Sequence, residues 1–171
     1  VVFPNPVFNA DDEQVQNDTL KSTQWAQPAI ATVSLSHLAL MKTLGLEACA
    51  VAGHSLGELT ALHAAGVFDA KALLAISRER GLLVNEAAKT PGAMLAILAT
   101  ADEVQAVLTS AKSKVSIANY NAPNQIIVAG SESDIADFSE QLSAQGMKFK
   151  SLPVATAFHS EIVSPSVAPF K

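Results

Sequence analysis

Val51-Ala52-Gly53-His54-Ser55-Leu56-Gly57-Glu58 is the stretch on which the reading of this chain turns. An apolar run, Ala48 to Ala52, leads into it. A helix-forming stretch, Glu58-Leu59-Thr60-Ala61-Leu62-His63-Ala64-Ala65, follows at once. One serine stands between two glycines as G-x-S-x-G, in a strand–turn–helix setting. Such an elbow holds its serine on a strained turn that only small neighbours let the backbone make. The hydroxyl is pushed out at the top of a sheet. The first N–H groups of the helix point to where an oxyanion forms. The pattern reads Ser55 as a nucleophile. The competing reading is a glycine-flanked turn with a helix-capping serine.

Length and composition narrow the classes. The 171 residues suffice for one domain with a core, or one domain carrying a small insertion. A net charge of −5 argues against a nucleic-acid binder, which needs a basic stripe. No apolar run approaches the roughly 18 residues of a membrane span. Val1-Val2-Phe3-Pro4 has no charged segment of a signal peptide. The missing initiator Met leads us to expect a piece of a longer polypeptide. The single Cys49 allows no internal disulfide and fits a reducing cytoplasm. In its apolar run, Cys49 is expected to be buried and inert.

Along the chain, residues 1–24 read as a connecting segment with a short helix near Asp11–Leu20. Pro28 suits the first turn of a helix that runs to Leu44. That helix is apolar on most sides, which predicts burial, and Gly45 ends it. A strand (48–52), the elbow and a helix to about Ala65 follow. Asp69 caps the next helix, about 70–88. This order predicts a parallel α/β core. After Pro91-Gly92 the pattern becomes strand (93–98), helix (102–111), strands (114–118 and 125–129) around a turn-forming loop at Asn119–Asn124, helix (134–145) capped by Ser131, and strand (149–154). That βαββαβ order is ferredoxin-like. The expected architecture is therefore an α/β-hydrolase-like parallel-sheet core with an inserted ferredoxin-like subdomain, incomplete at both ends. The large subdomain comprises 1–91 and 154–171, and the small one 92–153. The tail from Ala155 reads as a loop and the start of a helix.

A serine nucleophile needs a base. Of the four histidines, His37 falls inside the buried helix and His63 two turns past the elbow; both read as structural. His54, beside Ser55, would point away from the hydroxyl and reads as a packing or backbone-bonding group. His159 follows a strand and a small-residue loop far along the chain, the order an elbow nucleophile expects. It reads equally as an exposed loop histidine. Arg78 and Arg80 lie one helix downstream of the elbow. A guanidinium there could hold a carboxylate through two parallel hydrogen bonds, but by position alone a solvated helix face is the better reading of both. No histidine spacing of the H-E-x-x-H kind points to a metal.

Several stretches in register carry a resemblance: Gln27-Pro28-Ala29, Gly53–Glu58, Ala65-Gly66-Val67, Arg80-Gly81, Gly92-Ala93-Met94, Asn119-Tyr120-Asn121 and Ala157-Phe158-His159-Ser160. From about residue 23 to 165 the chain resembles the malonyl-CoA:acyl-carrier-protein transacylase family, which includes the acyltransferase domains of fatty acid and polyketide synthases. Trp25–Ile30 and Gly57–Leu62 resemble the iterative polyunsaturated-fatty-acid and enediyne types. The resemblance implies a Ser–His dyad of Ser55 and His159. It implies that Arg80 clamps the malonyl carboxylate and that the Leu56 N–H makes half of the oxyanion hole. Gln27 would line the site, with Asn119 near it from the smaller subdomain, and His54 belongs to the motif without being a base. Malonyl-specific members are similar to this chain at Ala157-Phe158-His159, where Phe158 fills the space an α-methyl needs. Such a methyl is worth only about 1–3 kcal/mol. Thr156 departs from the histidine that usually opens this motif.

Two further departures stand out. The family's first strand with its Gly-Gln-Gly-Ser-Gln-like loop, which supplies the second oxyanion donor, has no counterpart here. Nor does the segment whose carbonyl orients the histidine. The chain alone is therefore expected to be weakly active or inactive, since losing one donor costs about a hundredfold or more. The implied reaction moves malonyl from malonyl-CoA through Ser55 to the phosphopantetheine thiol of an acyl carrier protein, within a multidomain synthase, with no resident cofactor or metal. One rival is a serine acyl-hydrolase or thioesterase, with Asp102, Asp134 or Asp137 as its acid. The other is a non-catalytic synthase domain.

Overall fold

A computed structural model describes residues 2–88, 91–154 and 156–171. Val1, Lys89, Thr90 and Ala155 lie outside them, and with Ala155 the first residue of the expected tail. The chain divides into two compact units. One reaches Asn85 and takes in Phe170; the other runs from Glu86 to Pro169 and takes in Lys171.

The first unit is helical. Helix α1 (Ala10–Lys21) starts at Asn9, whose side chain accepts from the Asp12 N–H, with Asp11, Asp12 and Glu13 in its first turn. Helix α2 (Thr23–Thr43) carries Pro28. Helix α3 (Leu56–Ala64) leaves the elbow, and α4 (Ala70–Ala87) begins after Asp69, which accepts from the Ala72 N–H at 2.7 Å. Ala31, Leu56, Leu73 and Val84 are the buried apolar residues among those described in this unit.

Three expectations fail here. Residues 48–52 form no strand, because a strand exists only through ladder hydrogen bonds to a neighbour, and among the described residues that run has none. Likewise α2 is not a buried helix: Ile30, Val33, Leu40 and Met41 are exposed. An all-round apolar helix needs a layer on each side, and the described residues of this unit form no strand to supply one. His37 is exposed with it, and Cys49 is exposed rather than buried.

The second unit is built on a four-stranded antiparallel sheet: β1 (Gly92–Ile97), β2 (Ser116–Ala122), β3 (Gln125–Ser131) and β4 (Phe149–Ser151), in the order β2-β3-β1-β4. Helices α5 (Ala101–Ser110) and α6 (Glu132–Ala144) connect β1 to β2 and β3 to β4. This is the expected βαββαβ arrangement. Its helices start on side-chain caps. Thr100 and Glu103 form a reciprocal capping box, and Ser131 accepts from the Asp134 N–H.

Both faces of the sheet are used. Leu95 and Ile97 of β1, with Ile126 and Val128 of β3, pack in one cluster with Val104, Phe138 and Leu142 of the helices. The alternate residues Met94, Ile127 and Ala129 pack with Ala157, Phe158 and Ile162. The segment after β4 thus lies on the second face. It continues as a 3₁₀ turn (Glu161–Ser166) and a short α7 (Val167–Phe170).

The expected 119–124 loop contracts. Asn119 to Ala122 belong to β2, which pairs with β3 through two register shifts, leaving Pro123-Asn124 as the turn. An edge strand with bulges accepts turn-forming residues that a central strand rejects.

Two buried hydroxyls, those of Ser77 and Thr156, have no hydrogen-bond partner among the described residues. Ser77 is fully buried on α4. An unpaired buried hydroxyl costs about 1–3 kcal/mol, and alanine is also the better helix former. Ser77→Ala is expected to raise stability by about 1 kcal/mol, read as a higher denaturant midpoint at unchanged slope; a lower midpoint would disprove it.

Candidate active site

Ser55 has φ +53° and ψ −115°, and it precedes α3 without its side chain capping the helix. That backbone lies outside the regions open to a side-chain-bearing residue, and holding it there costs about 1–3 kcal/mol. The turn is closed by the Gly57 N–H donating to the His54 carbonyl at 2.9 Å and the Glu58 N–H to the Ser55 carbonyl at 3.1 Å. The Leu56 N–H, first in the helix, has no acceptor among the described residues.

Gly53 makes the turn possible. A Cβ there would sit 2.1 Å from the Gly57 carbonyl carbon and oxygen and 2.3 Å from the Glu58 nitrogen, all backbone. A Cβ at Gly57 would meet nothing within 4 Å, so the requirement for a small residue falls on Gly53. Gly53→Ala is expected to destabilise the chain by about 2–3 kcal/mol, measured by denaturant unfolding. Gly57→Ala is expected to stay near the original value. Equal losses at the two positions would refute the asymmetry.

Two helices bring partners to the serine. The Arg80 Nη2 on α4 donates to the Ser55 Oγ at 3.2 Å, and its Nη1 donates to the Gln27 Oε1 on α2 at 2.8 Å. Gln27 is buried and Arg80 half-buried. Burial pushes the guanidinium pKa down from its ordinary value, and the charge of Glu58 opposes this by raising it. Arginine stays cationic at neutral pH regardless. Among the described residues no carboxylate lies within ion-pair distance of Arg80. A cation taken partly out of water, hydrogen-bonded to two neutral oxygens and without a carboxylate in ion-pair distance among the described residues, can receive an anion.

The other sequence candidates fall as follows. Arg78 is exposed on the same helix. His63 is structural, its Nδ1 bonded to the Phe68 carbonyl at 2.8 Å, and His54 is exposed beside the elbow. In the second unit, His159 is exposed and has φ +57°. Non-glycine residues with positive φ among those described are Ser55, His159 and Lys112. Phe158 is half-buried against the second face of the sheet, and Asn119 is half-buried on β2 opposite Ile127. Asp134 bonds the Ser131 hydroxyl at 2.5 Å, while Asp102 and Asp137 are exposed on their helices. The contact of Thr23 with Gly81, which joins α2 to α4 beside Gln27 and Arg80, escaped the sequence reading. Its signal was the four-residue spacing of Thr23 and Gln27 along one helix face. Among the described residues no helix is long and apolar enough to cross a membrane, and no three acidic, His or Cys groups are placed to hold a metal.

Known proteins agree on the family. Residues 7–169 match the acyl transferase domain family. The chain is 38% identical over 154 residues to the phenolphthiocerol synthesis polyketide synthase type I Pks15/1 of Mycobacterium marinum, covering 88% of this chain and 7% of that protein. The solved malonyl CoA-acyl carrier protein transacylase from Clostridium perfringens superposes with a TM-score of 0.83 at 28% identity, covering 94% of this chain and 51% of that one. A transacylase solved with the holo form of its type II polyketide acyl-carrier protein superposes with a TM-score of 0.83 at 29% identity, covering 90% and 52%. The chain thus spans about half of these solved transacylases and a small part of the synthase. With the family matched over residues 7–169 and a relative 38% identical over 88% of the chain, this chain belongs to the acyl transferase domain family.

Proposed function

We propose that the chain transfers a malonyl group from malonyl-CoA to the phosphopantetheine thiol of an acyl carrier protein, as an acyltransferase domain of an iterative multidomain synthase. The observation that carries this is the Arg80 guanidinium donating at once to Gln27 and to the Ser55 hydroxyl. A malonyl group esterified on Ser55 places its free carboxylate a few bonds from Oγ, within reach of that cation. A neutral acyl group would leave the cation without a counter-charge.

In this reading Ser55 and His159 act as a dyad. His159 takes the hydroxyl proton as Oγ attacks the thioester carbonyl, and returns it to the departing CoA thiol. The Leu56 N–H holds the oxyanion. The carrier thiol, deprotonated by the same histidine, then attacks the ester carbonyl and takes the acyl group, and the histidine returns that proton to the departing Ser55 Oγ. Arg80, supported by Gln27, holds the carboxylate through both halves. His54 and Asn119 border the substrate, and Phe158 disfavours an α-methyl. Support for His159 comes from its place in the family motif and its strained backbone. We assign residues 92–153 to the small subdomain, and 1–91 with 154–171 to the large one. The setting is cytoplasmic, where the single cysteine stays a thiol.

Intact mass after prolonged incubation with malonyl-CoA tests the assignment, because it counts adducts rather than turnovers and so scores even a slow chain. Retained malonyl that passes to added holo carrier protein is the expected result. Free malonate without transfer would make the chain a serine acyl-hydrolase, and no adduct at all would leave a non-catalytic domain.

A further inference from the structure

We infer that Thr23 and Gly81 form a latch that positions Arg80, so that the reach of the carboxylate clamp is set by a buried contact between α2 and α4. The Thr23 hydroxyl donates to the Gly81 carbonyl at 2.7 Å, and both residues are buried. The helices meet at this point with no room to spare. A Cβ on Gly81 would stand 2.4 Å from the Thr23 carbonyl oxygen and 2.8 Å from the Gln24 Cα. One turn further along α2, Gln27 accepts from Arg80, the residue just before Gly81. Thr23 and Gln27 therefore grip adjacent residues of α4 from one face of α2. The first grip fixes the backbone that carries Arg80, and the second fixes its guanidinium. A flexible arginine side chain loses much freedom when it is held in one geometry. Anchoring its backbone within a residue of the charge narrows the space it must give up.

The clamp's carboxylate role rests on the function proposed above; the positioning of Arg80 does not. Arg78 and Arg80 are the two arginines of the chain, so arginine-labelled protein gives two side-chain Nε–H resonances, and Arg80→Lys assigns them. Thr23→Val is expected to move the Arg80 resonance towards that of exposed Arg78, and Thr23→Ser to restore it. Leu73→Val, a destabilising change in the fully buried part of α4, is expected to leave it in place. Should Thr23→Val fail to fold, Thr23→Ala removes the hydroxyl without added bulk and carries the same expectation. An unmoved Arg80 resonance in a folded Thr23 variant, or an equal shift in Leu73→Val, overturns the latch.

The second readout is acylation. The preference for malonyl-CoA over acetyl-CoA should fall about tenfold in Thr23→Val, the equivalent of one lost hydrogen bond, and return in Thr23→Ser. Equal loss with both substrates would mean a purely structural role and overturn the inference. If the unsubstituted chain takes no malonyl, the proposed function fails, and the resonance still decides the latch.

Discussion

A chain carrying Ser55→Ala is expected to take up no acyl group from malonyl-CoA under conditions in which the unsubstituted chain does. Removing the attacking oxygen leaves no covalent route. Losses on deleting a serine nucleophile reach about a millionfold, beyond what an intact-mass measurement can detect. The backbone sharpens the expectation. Ser55 is held at φ +53°, a conformation that alanine tolerates no better than serine, so Ser55→Ala should keep the folded stability. Ser55→Gly should raise stability by about 1 kcal/mol while abolishing the adduct equally. A site whose strain is relieved by the substitution that destroys its chemistry holds that strain for function. A malonyl adduct that survives in Ser55→Ala would move the nucleophile elsewhere, with exposed Cys49 the first residue to examine.

What could be read in the sequence was local. Helix starts at Asp69 and Ser131 depend on residues within three positions of one another, and those capping bonds form. The βαββαβ unit was legible because its apolar alternation and its turns both lie within the segment that folds them. Long-range features were not. Residues 48–52 have the composition of a strand and α2 that of a buried helix, but composition cannot supply the neighbour that either one needs. Asn119 reads as a loop residue and sits on a bulged edge strand, because tertiary pairing overrode its propensity. At the elbow, the sequence marked two glycines and the structure needs the first, since only there does another backbone segment pass within contact distance. Arg80 was ambiguous for the same reason. Its sequence neighbours Arg78 and Glu79 are exposed, while its own partners, Gln27 and Ser55, lie 53 and 25 residues away in the chain.

Arg80→Ala is expected to change which acyl group is accepted rather than whether one is. A charge-assisted hydrogen bond contributes about 1.5–3 kcal/mol, and a guanidinium can make two to one carboxylate. Losing the pair should slow malonyl loading about a hundred- to a thousandfold. Acetyl-CoA has no carboxylate to lose, so its loading should be unchanged or faster. Arg80→Lys should recover only part of the malonyl rate. An ammonium is a point charge, and it cannot hold Gln27 and a carboxylate in one plane. Gln27→Ala is the intermediate case: the cation stays but loses the oxygen that orients it, so malonyl loading should fall by about tenfold, as for one net hydrogen bond. Comparing both acyl-CoAs across the three variants separates charge, geometry and support. If Arg80→Ala slowed acetyl and malonyl loading alike, Arg80 would serve the serine rather than the carboxylate. Its 3.2 Å bond to Oγ would then be the contact that matters, as a donor stabilising the attacking oxygen for any acyl group.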